Sequence, residues 1–208
     1  MQEIINVYGI EVVHSDPLNG GGWEVMQEMV NLLKEWYPGH QFERAFEWCA
    51  GPGYMGFALL GSGLAKTLVL SDVYEHAFQA QKQTVINNEL NNVILYNSDN
   101  LNKIPIDEQW DLVVGNPPHF PNSIQRYDFL DPRLYVDDNW ELHKEFFLDI
   151  KQHLAPNGKI LLWESNWGSS IETLTPWIKS AGLKVNRYGN AVTTYDADYW
   201  YWVEIVHD

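Results

Sequence analysis

The sequence predicts an α/β fold whose largely parallel sheet is covered by helices on both faces, on three observations. Strand-like runs alternate with amphipathic helical segments along most of the chain. A glycine-containing turn joins the first core strand to its helix. At 208 residues, with 45% hydrophobic and 20% charged residues, the chain is long enough for one well-packed core. The expectation is a single domain spanning 1–208, with residues 1–41 as a helical preface and 42–208 as the core.

WEVMQEMVNLLKEW (23–36) sets Met26, Met29, Val30, Leu33 and Trp36 at helical spacing and is stopped by Pro38 and Gly39. FERAFEWCA (42–50) reads as a strand, GYMGFALLGSG (53–63) as a helix ended by glycines, and KTLVLSD (66–72) as the next strand. EHAFQAQKQTVINNEL supplies a further helix, and VILYNSD, WDLVVGN and KILLWES further strands. NWELHKEFFLDIKQHL (139–154) is the helix before the last of these, closed by Pro156, Asn157 and Gly158. After a helical segment at 171–182, which contains Pro176, LKVNRYG and YWYWVEIV are joined by about eight residues, short enough for an antiparallel hairpin at one edge.

Thirteen Lys and Arg against 28 Asp and Glu give a formal net charge of −15, which disfavours a nucleic-acid polyanion as partner. No run is long and apolar enough to suggest a membrane span, and the first residues lack the pattern of a secretory signal. The single Cys49 forms no internal disulfide, so a reducing, cytoplasmic location is expected. Nothing in the sequence indicates an oligomeric state.

Four short stretches carry chemistry. In FEWCAGPGYMG (46–56), a strand, a turn and a helix start give the geometry by which open α/β sheets bind nucleoside cofactors. Gly51 and Gly53 would let the backbone pass close to a ligand, although the spacing is not GxGxxG. Glu47, within the strand, needs a partner if buried. Asp72 closes LVLSD, where an acid can accept both ribose hydroxyl hydrogens; standing alone it also fits a helix N-cap. Asp99, in NSDN, lies at the next strand end, where a carboxylate can receive the amino group of adenine or merely shape a turn. In DLVVGNPPHF (111–120), buried strand formers end at Gly115 and Asn116, and Pro117 and Pro118 forbid further ladder bonding.

In this order these residues resemble the class I S-adenosylmethionine-dependent methyltransferases, over roughly residues 10–165. The motifs are most similar to the Asn-Pro-Pro-aromatic branch, which includes the HemK/PrmC-like protein-glutamine enzymes and the adenine N6 methyltransferases. The resemblance implies a Rossmann-like core with a mostly parallel seven-stranded sheet and a C-terminal antiparallel hairpin. It implies S-adenosyl-L-methionine as cofactor and S-adenosyl-L-homocysteine as product. Cofactor contacts would come from Glu47, Cys49, Ala50, Gly51 and Gly53, from Asp72 and Val73, and from Asp99, Asn100 and Asn116. The catalytic motif would be Asn116, Pro117, Pro118 and His119. Within VVHSDPLNGGG (12–22), His14, Asp16 and Gly20 to Gly22 loosely match a preface segment that helps form the pocket.

Methyl transfer from a sulfonium is an in-line displacement, so fixing the acceptor nitrogen is the main task. The Asn116 side-chain oxygen and the Pro117 carbonyl would accept its two N–H hydrogens and favour the developing charge. Position 119 departs from the family, which usually has Tyr, Phe or Trp; a histidine can stack and also carry a proton. No metal is expected, and His143 and His153 are expected at the surface. Asp128, Asp131, Asp137 and Asp138 would welcome a cationic or polar partner, although most such acids are simply solvated. Three functions follow: an N-methyltransferase acting on a protein amide or a small molecule, an adenine N6 methyltransferase of RNA or DNA, or an idle cofactor-binding subunit.

Overall fold

The computed structural model describes residues 3–14, 21–122, 131–192 and 197–208. Strands β1 (Glu3–Val7) and β2 (Ile10–His14) precede helix α1 (Gly22–Trp36). The core then runs β3 (Phe42–Trp48), α2 (Tyr54–Gly61), β4 (Ala65–Asp72), α3 (Glu75–Asn87), β5 (Val93–Asn97) and β6 (Trp110–Gly115). It continues through α4 (Glu141–His153), β7 (Leu154–Ser165), α5 (Ile171–Ser180), β8 (Leu183–Asn190) and β9 (Trp200–His207).

Seven strands form one sheet in the order β5-β4-β3-β6-β7-β9-β8. The first five are mutually parallel, and β9 runs antiparallel to both β7 and β8, which makes the expected C-terminal hairpin. Alternate residues of each central strand serve opposite faces. Ala45, Leu68, Leu112 and Leu161 pack with α1 and α2. Their neighbours Phe46, Val69, Val113 and Leu162 pack with α4 and α5. Strands buried on both faces read as continuous apolar runs, as LVL in β4 and LVV in β6 do.

The preface is not purely helical, because an antiparallel hairpin of β1 and β2 comes before α1. Tyr8 (φ 49°) and Gly9 (φ 90°) form its turn, the pair of positive φ values that matches the strand twist, and Asn6 Oδ1 accepts the Gly9 N–H at 3.1 Å. The hairpin and α1 join the same apolar cluster as α2. Helix α4 starts two residues later than the sequence suggests because Asn139 and Trp140 are left-handed. The chain leaves α4 directly into β7 at Leu154, and the register shift between Trp110 and Leu112 absorbs residues 155–158.

Helix α1 is tied to the end of the chain by a buried carboxylate: Glu28 Oε1 accepts the Val192 N–H at 2.9 Å and the Trp202 indole N–H at 3.1 Å. Glu28→Ala leaves both donors without this acceptor and is expected to cost about 1–3 kcal/mol, read as a lower urea midpoint. An unchanged midpoint would mean that the tie contributes nothing.

Candidate active site

Strand β3 pairs with β4 on one side and β6 on the other, so the connections leave β3 and β6 in opposite directions. A crevice opens outside the carboxyl ends of the strands at such a switch point. Here it is a cavity of roughly 750 Å³ including its open mouth, and it lies between the turn after β3 and the end of β6.

The turn after β3 is forced into shape by left-handed residues at Cys49 (φ 52°), Gly51 (φ 50°) and Gly53 (φ 89°). It is pinned to the end of β4: Asp72 Oδ2 accepts the Gly51 N–H at 2.8 Å, and Gln81 donates to the Gly51 carbonyl at 2.6 Å. Cys49, Ala50 and Gly51 line the cavity. Gly53 does not; a Cβ there would stand 2.8 Å from Leu70 Cδ1, so this glycine is required by packing and backbone angle.

Glu47 reaches the cavity floor from β3 and is buried. Its Oε2 accepts the Gly56 N–H at 2.7 Å, so the N-terminal turn of α2 supplies the partner that the sequence demands. Burial nonetheless pushes its carboxyl up to about 8, against the lowering effect of the Gly56 and Met55 amides. Gly56 can carry no side chain without displacing something, since a Cβ would lie 2.7 Å from Glu47 Oε2 and 2.6 Å from Leu70 Cδ2.

The opposite rim holds the other acids. Asp72 Oδ1 accepts the Tyr74 N–H at 2.8 Å, so each of its oxygens already holds one backbone amide. Burial raises its carboxyl from the ordinary value, and those two amides act in the other direction. Val73 and Asp99 are exposed at the cavity edge. Asn100 is buried, with its amide nitrogen donating to the Leu142 carbonyl at 3.0 Å; its Oδ1 has no hydrogen-bond partner among the described residues. Burial raises the half-buried Cys49 thiol well above its usual range, aided by the charges of Asp72, Asp137, Glu164 and Glu47.

At the end of β6, half-buried Asn116 and buried Pro118 line the cavity, whereas Pro117 and His119 are packed behind them. The histidine is buried and its ring does not line the cavity. Its Nε2 lies 3.0 Å from Asn116 Oδ1, and its Nδ1 lies 3.3 Å from Glu164 Oε2 and 3.4 Å from Ser169 Oγ. Glu164 Oε1 in turn lies 3.2 Å from His143 Nε2, and His143 Nδ1 lies 2.6 Å from Asp137 Oδ2. Asp137 also accepts the amides of Leu142 and His143 at 2.9 and 3.1 Å. This buried chain of side chains runs from Asn116 to the start of α4.

Two of its members, His143 and Asp137, and His153 elsewhere on α4 correct the sequence expectations. His143 is buried because it lies on the α4 face that carries Phe146, Phe147 and Ile150. His153 is also buried, with its Nδ1 2.9 Å from the Glu108 carbonyl and its ring stacked on Trp110. Asp137 is buried under α4, whereas Asp138 is exposed and Asp131 pairs with Arg133 at 2.5 Å. Glu164 escaped notice, although a carboxylate in the apolar run ILLWES was a signal. Of the preface candidates, Gly22 lines the cavity, Gly21 faces Asn116, and His14 Nδ1 pairs with the Tyr54 hydroxyl. Asp16, Gly20 and Asp128 lie outside the described residues. No group of three or more His, Cys, Asp or Glu among the described residues could hold a metal ion, and no described helix is long and apolar enough to cross a membrane.

A family model described as the methyltransferase small domain matches residues 27–174. No curated protein matches the sequence. Among solved structures, the chain is similar to the ribosomal protein L11 methylase of Lactobacillus delbrueckii subsp. bulgaricus, with a TM-score of 0.65 and 15% identity over 92% of this chain and 83% of that one. M. jannaschii TYW2, solved with AdoMet, gives a TM-score of 0.62 and 18% identity over 98% of this chain and 84% of that one. The M. jannaschii tRNA m1G37 methyltransferase gives a TM-score of 0.62 and 15% identity, covering all (100%) of this chain and 57% of that longer one.

His143 feels opposing effects: burial alone would lower its pKa, but the charges of and hydrogen bonds to Glu164 and Asp137 push it up to about 9. Glu164 moves the other way, because burial is outweighed by His143 and His119. His143 and Glu47 therefore hold protons more tightly folded than unfolded, where histidine and glutamate titrate near ~6.5 and ~4.3. The native state binds more protons, so stability falls as pH rises. The His143 contribution is complete below about pH 6.5 and lost by about pH 9, and that of Glu47 is lost by about pH 8. Urea midpoints should fall steadily from about pH 6.5 to 9, by up to about 1.4 kcal/mol per pH unit for each titrating group. A midpoint that rises across this window would contradict the assignment.

Proposed function

The chain belongs to the methyltransferase small domain family and is an S-adenosylmethionine-dependent methyltransferase, and from that premise we propose that it methylates an amide or amino nitrogen. The acceptor in this reading is a protein side chain of the glutamine type or a small molecule. The observation that carries it is the position of Asn116, held on a diproline corner at the mouth of the switch-point cavity and facing the turn at Cys49 to Gly51.

The described lining suits the cofactor. Asp72 and Asp99 stand at the rim for the ribose hydroxyls and the adenine amino group, and the orphaned Asn100 Oδ1 beside them is an acceptor awaiting a donor. Cys49, Ala50 and Gly51 would pass along the methionine side. When bound, S-adenosylmethionine supplies a methyl group on a sulfonium, a cation that the acidic lining favours. Asn116 and the Pro117 carbonyl would fix the acceptor nitrogen by receiving its N–H hydrogens, and the prolines keep both acceptors from relaxing away. The hairpin and α1 share one core with α2, which supports treating 1–208 as a single methyltransferase domain.

Charge chooses between acceptor classes. Asp72 and Asp99 line the cavity rim, and the one described base there, Arg133, is already paired with Asp131. Such a mouth repels a phosphate backbone, in keeping with the net charge of −15. The likeness to a tRNA methyltransferase favours a second reading, an adenine N6 or other RNA or DNA acceptor. A screen with labelled cofactor against proteins, small amides and tRNA separates them, and incorporation into tRNA alone would overturn the first.

Two substitutions test the residue roles by calorimetry with S-adenosylhomocysteine. Asp72→Ala should weaken binding about ten- to a hundredfold, the worth of charge-assisted hydrogen bonds. Asn116→Ala should keep binding within about threefold and lose turnover by about a hundredfold or more, a typical loss for one transition-state hydrogen-bonding group. Normal binding by the first variant would remove the ribose assignment, and an active second variant would remove the gripping mechanism.

A further inference from the structure

Behind Asn116 lie four ionisable side chains that the proposed chemistry does not itself use: His119, Glu164, His143 and Asp137. All are buried, and Glu164 and His143 are fully enclosed. Charged groups placed so deep cost stability that apolar residues of the same size would not. Their order is one-dimensional, each touching the next, and the chain ends on Asn116, whose side chain lines the cavity.

We infer that Glu164 is a positioning residue which, backed by His143 and Asp137, fixes the tautomer of His119 and thereby the direction in which the Asn116 carboxamide oxygen points. The inference rests on the reading of Asn116 as the group that grips the acceptor nitrogen. His143 lies between two carboxylates, with Asp137 at Nδ1 and Glu164 at Nε2, so both of its nitrogens donate. Its positive charge keeps Glu164 ionised, and an ionised carboxylate only accepts. The proton on His119 must therefore sit on Nδ1, the nitrogen that faces Glu164 Oε2.

A neutral His119 then presents a lone pair at Nε2. A lone pair takes the NH2 end of the Asn116 carboxamide and turns its oxygen toward the cavity, where an acceptor N–H would be gripped. An Nε2–H does the reverse and takes the oxygen, the contact seen at 3.0 Å. The two arrangements differ by one proton and one half-turn of the amide.

The surroundings of His119 hold the ring without competing for Nε2. Trp200 from β9 packs edge-on at 4.9 Å, Phe120 covers another side, and Ser169 Oγ approaches the same Nδ1 as Glu164. Tyr201 donates to the Ser169 carbonyl at 2.5 Å. Cys49 and Tyr201 also feel the charge of Glu164.

The test is imidazole nitrogen NMR on protein labelled at histidine, with the His119 signals identified by their loss in His119→Phe. At pH 8 the wild type should show His119 protonated at Nδ1 and bare at Nε2, with His143 protonated at both nitrogens. Glu164→Gln, which can donate to Nδ1, should transfer the His119 proton to Nε2. An Nε2–H tautomer in the wild type, or an Nδ1–H tautomer unmoved by Glu164→Gln, overturns the inference. If that variant does not fold, the wild-type tautomer decides the matter alone. S-Adenosylhomocysteine titrated into the same samples separates the two claims: binding with the wrong tautomer overturns this inference only, and the expected tautomer without binding overturns the functional reading only.

Discussion

A carboxylate enclosed by protein must be answered by donors, and two such groups, Glu47 and Glu164, set the walls of the cavity. Glu47 is answered by the first amides of α2, which forces that helix to begin directly over the end of β3. The tight, left-handed turn at Cys49, Gly51 and Gly53 follows from so short a path. Glu164 is answered by His119 and His143, which draws the Asn-Pro-Pro corner and the start of α4 onto β7. One carboxylate thus shapes the turn after β3 and the other the corner at the end of β6.

Much of this was legible in the sequence because it follows from local rules. Strand and helix periods, the glycine turn and the diproline corner each act over a few residues, and they placed β3 to β9 and α1 to α5 nearly where they stand. The hairpin of β1 and β2 was missed because the helical signal of α1 dominated the preface, although Tyr8-Gly9 between apolar runs is a hairpin turn sequence. Left-handed Asn139 and Trp140 delayed α4, since positive φ at a non-glycine residue leaves little trace in composition.

The candidate site divides along the same line. The positions of Asp72, Asp99, Asn116 and the turn residues followed from strand ends, which are local features. The sequence left the place of the His119 ring open, and Glu164, His143 and Asp137 were not connected with it, because their relation is purely tertiary. The separations along the chain from Glu164, 45 residues to His119 and 21 to His143, carry no spacing signal. A histidine on an apolar helix face and a glutamate in a buried strand were the available hints, and each has a meaning only once the other is placed beside it.

The central claim is that the switch-point cavity holds the nucleoside cofactor with its reactive end toward Asn116. A crystal structure with S-adenosylhomocysteine tests it most directly. The account predicts the ribose hydroxyls on Asp72, the adenine amino group near Asp99, and the sulfur facing Asn116 across the turn at Cys49 to Gly51. A ligand bound elsewhere, or seated in the cavity with its sulfur turned away from Asn116, would contradict it.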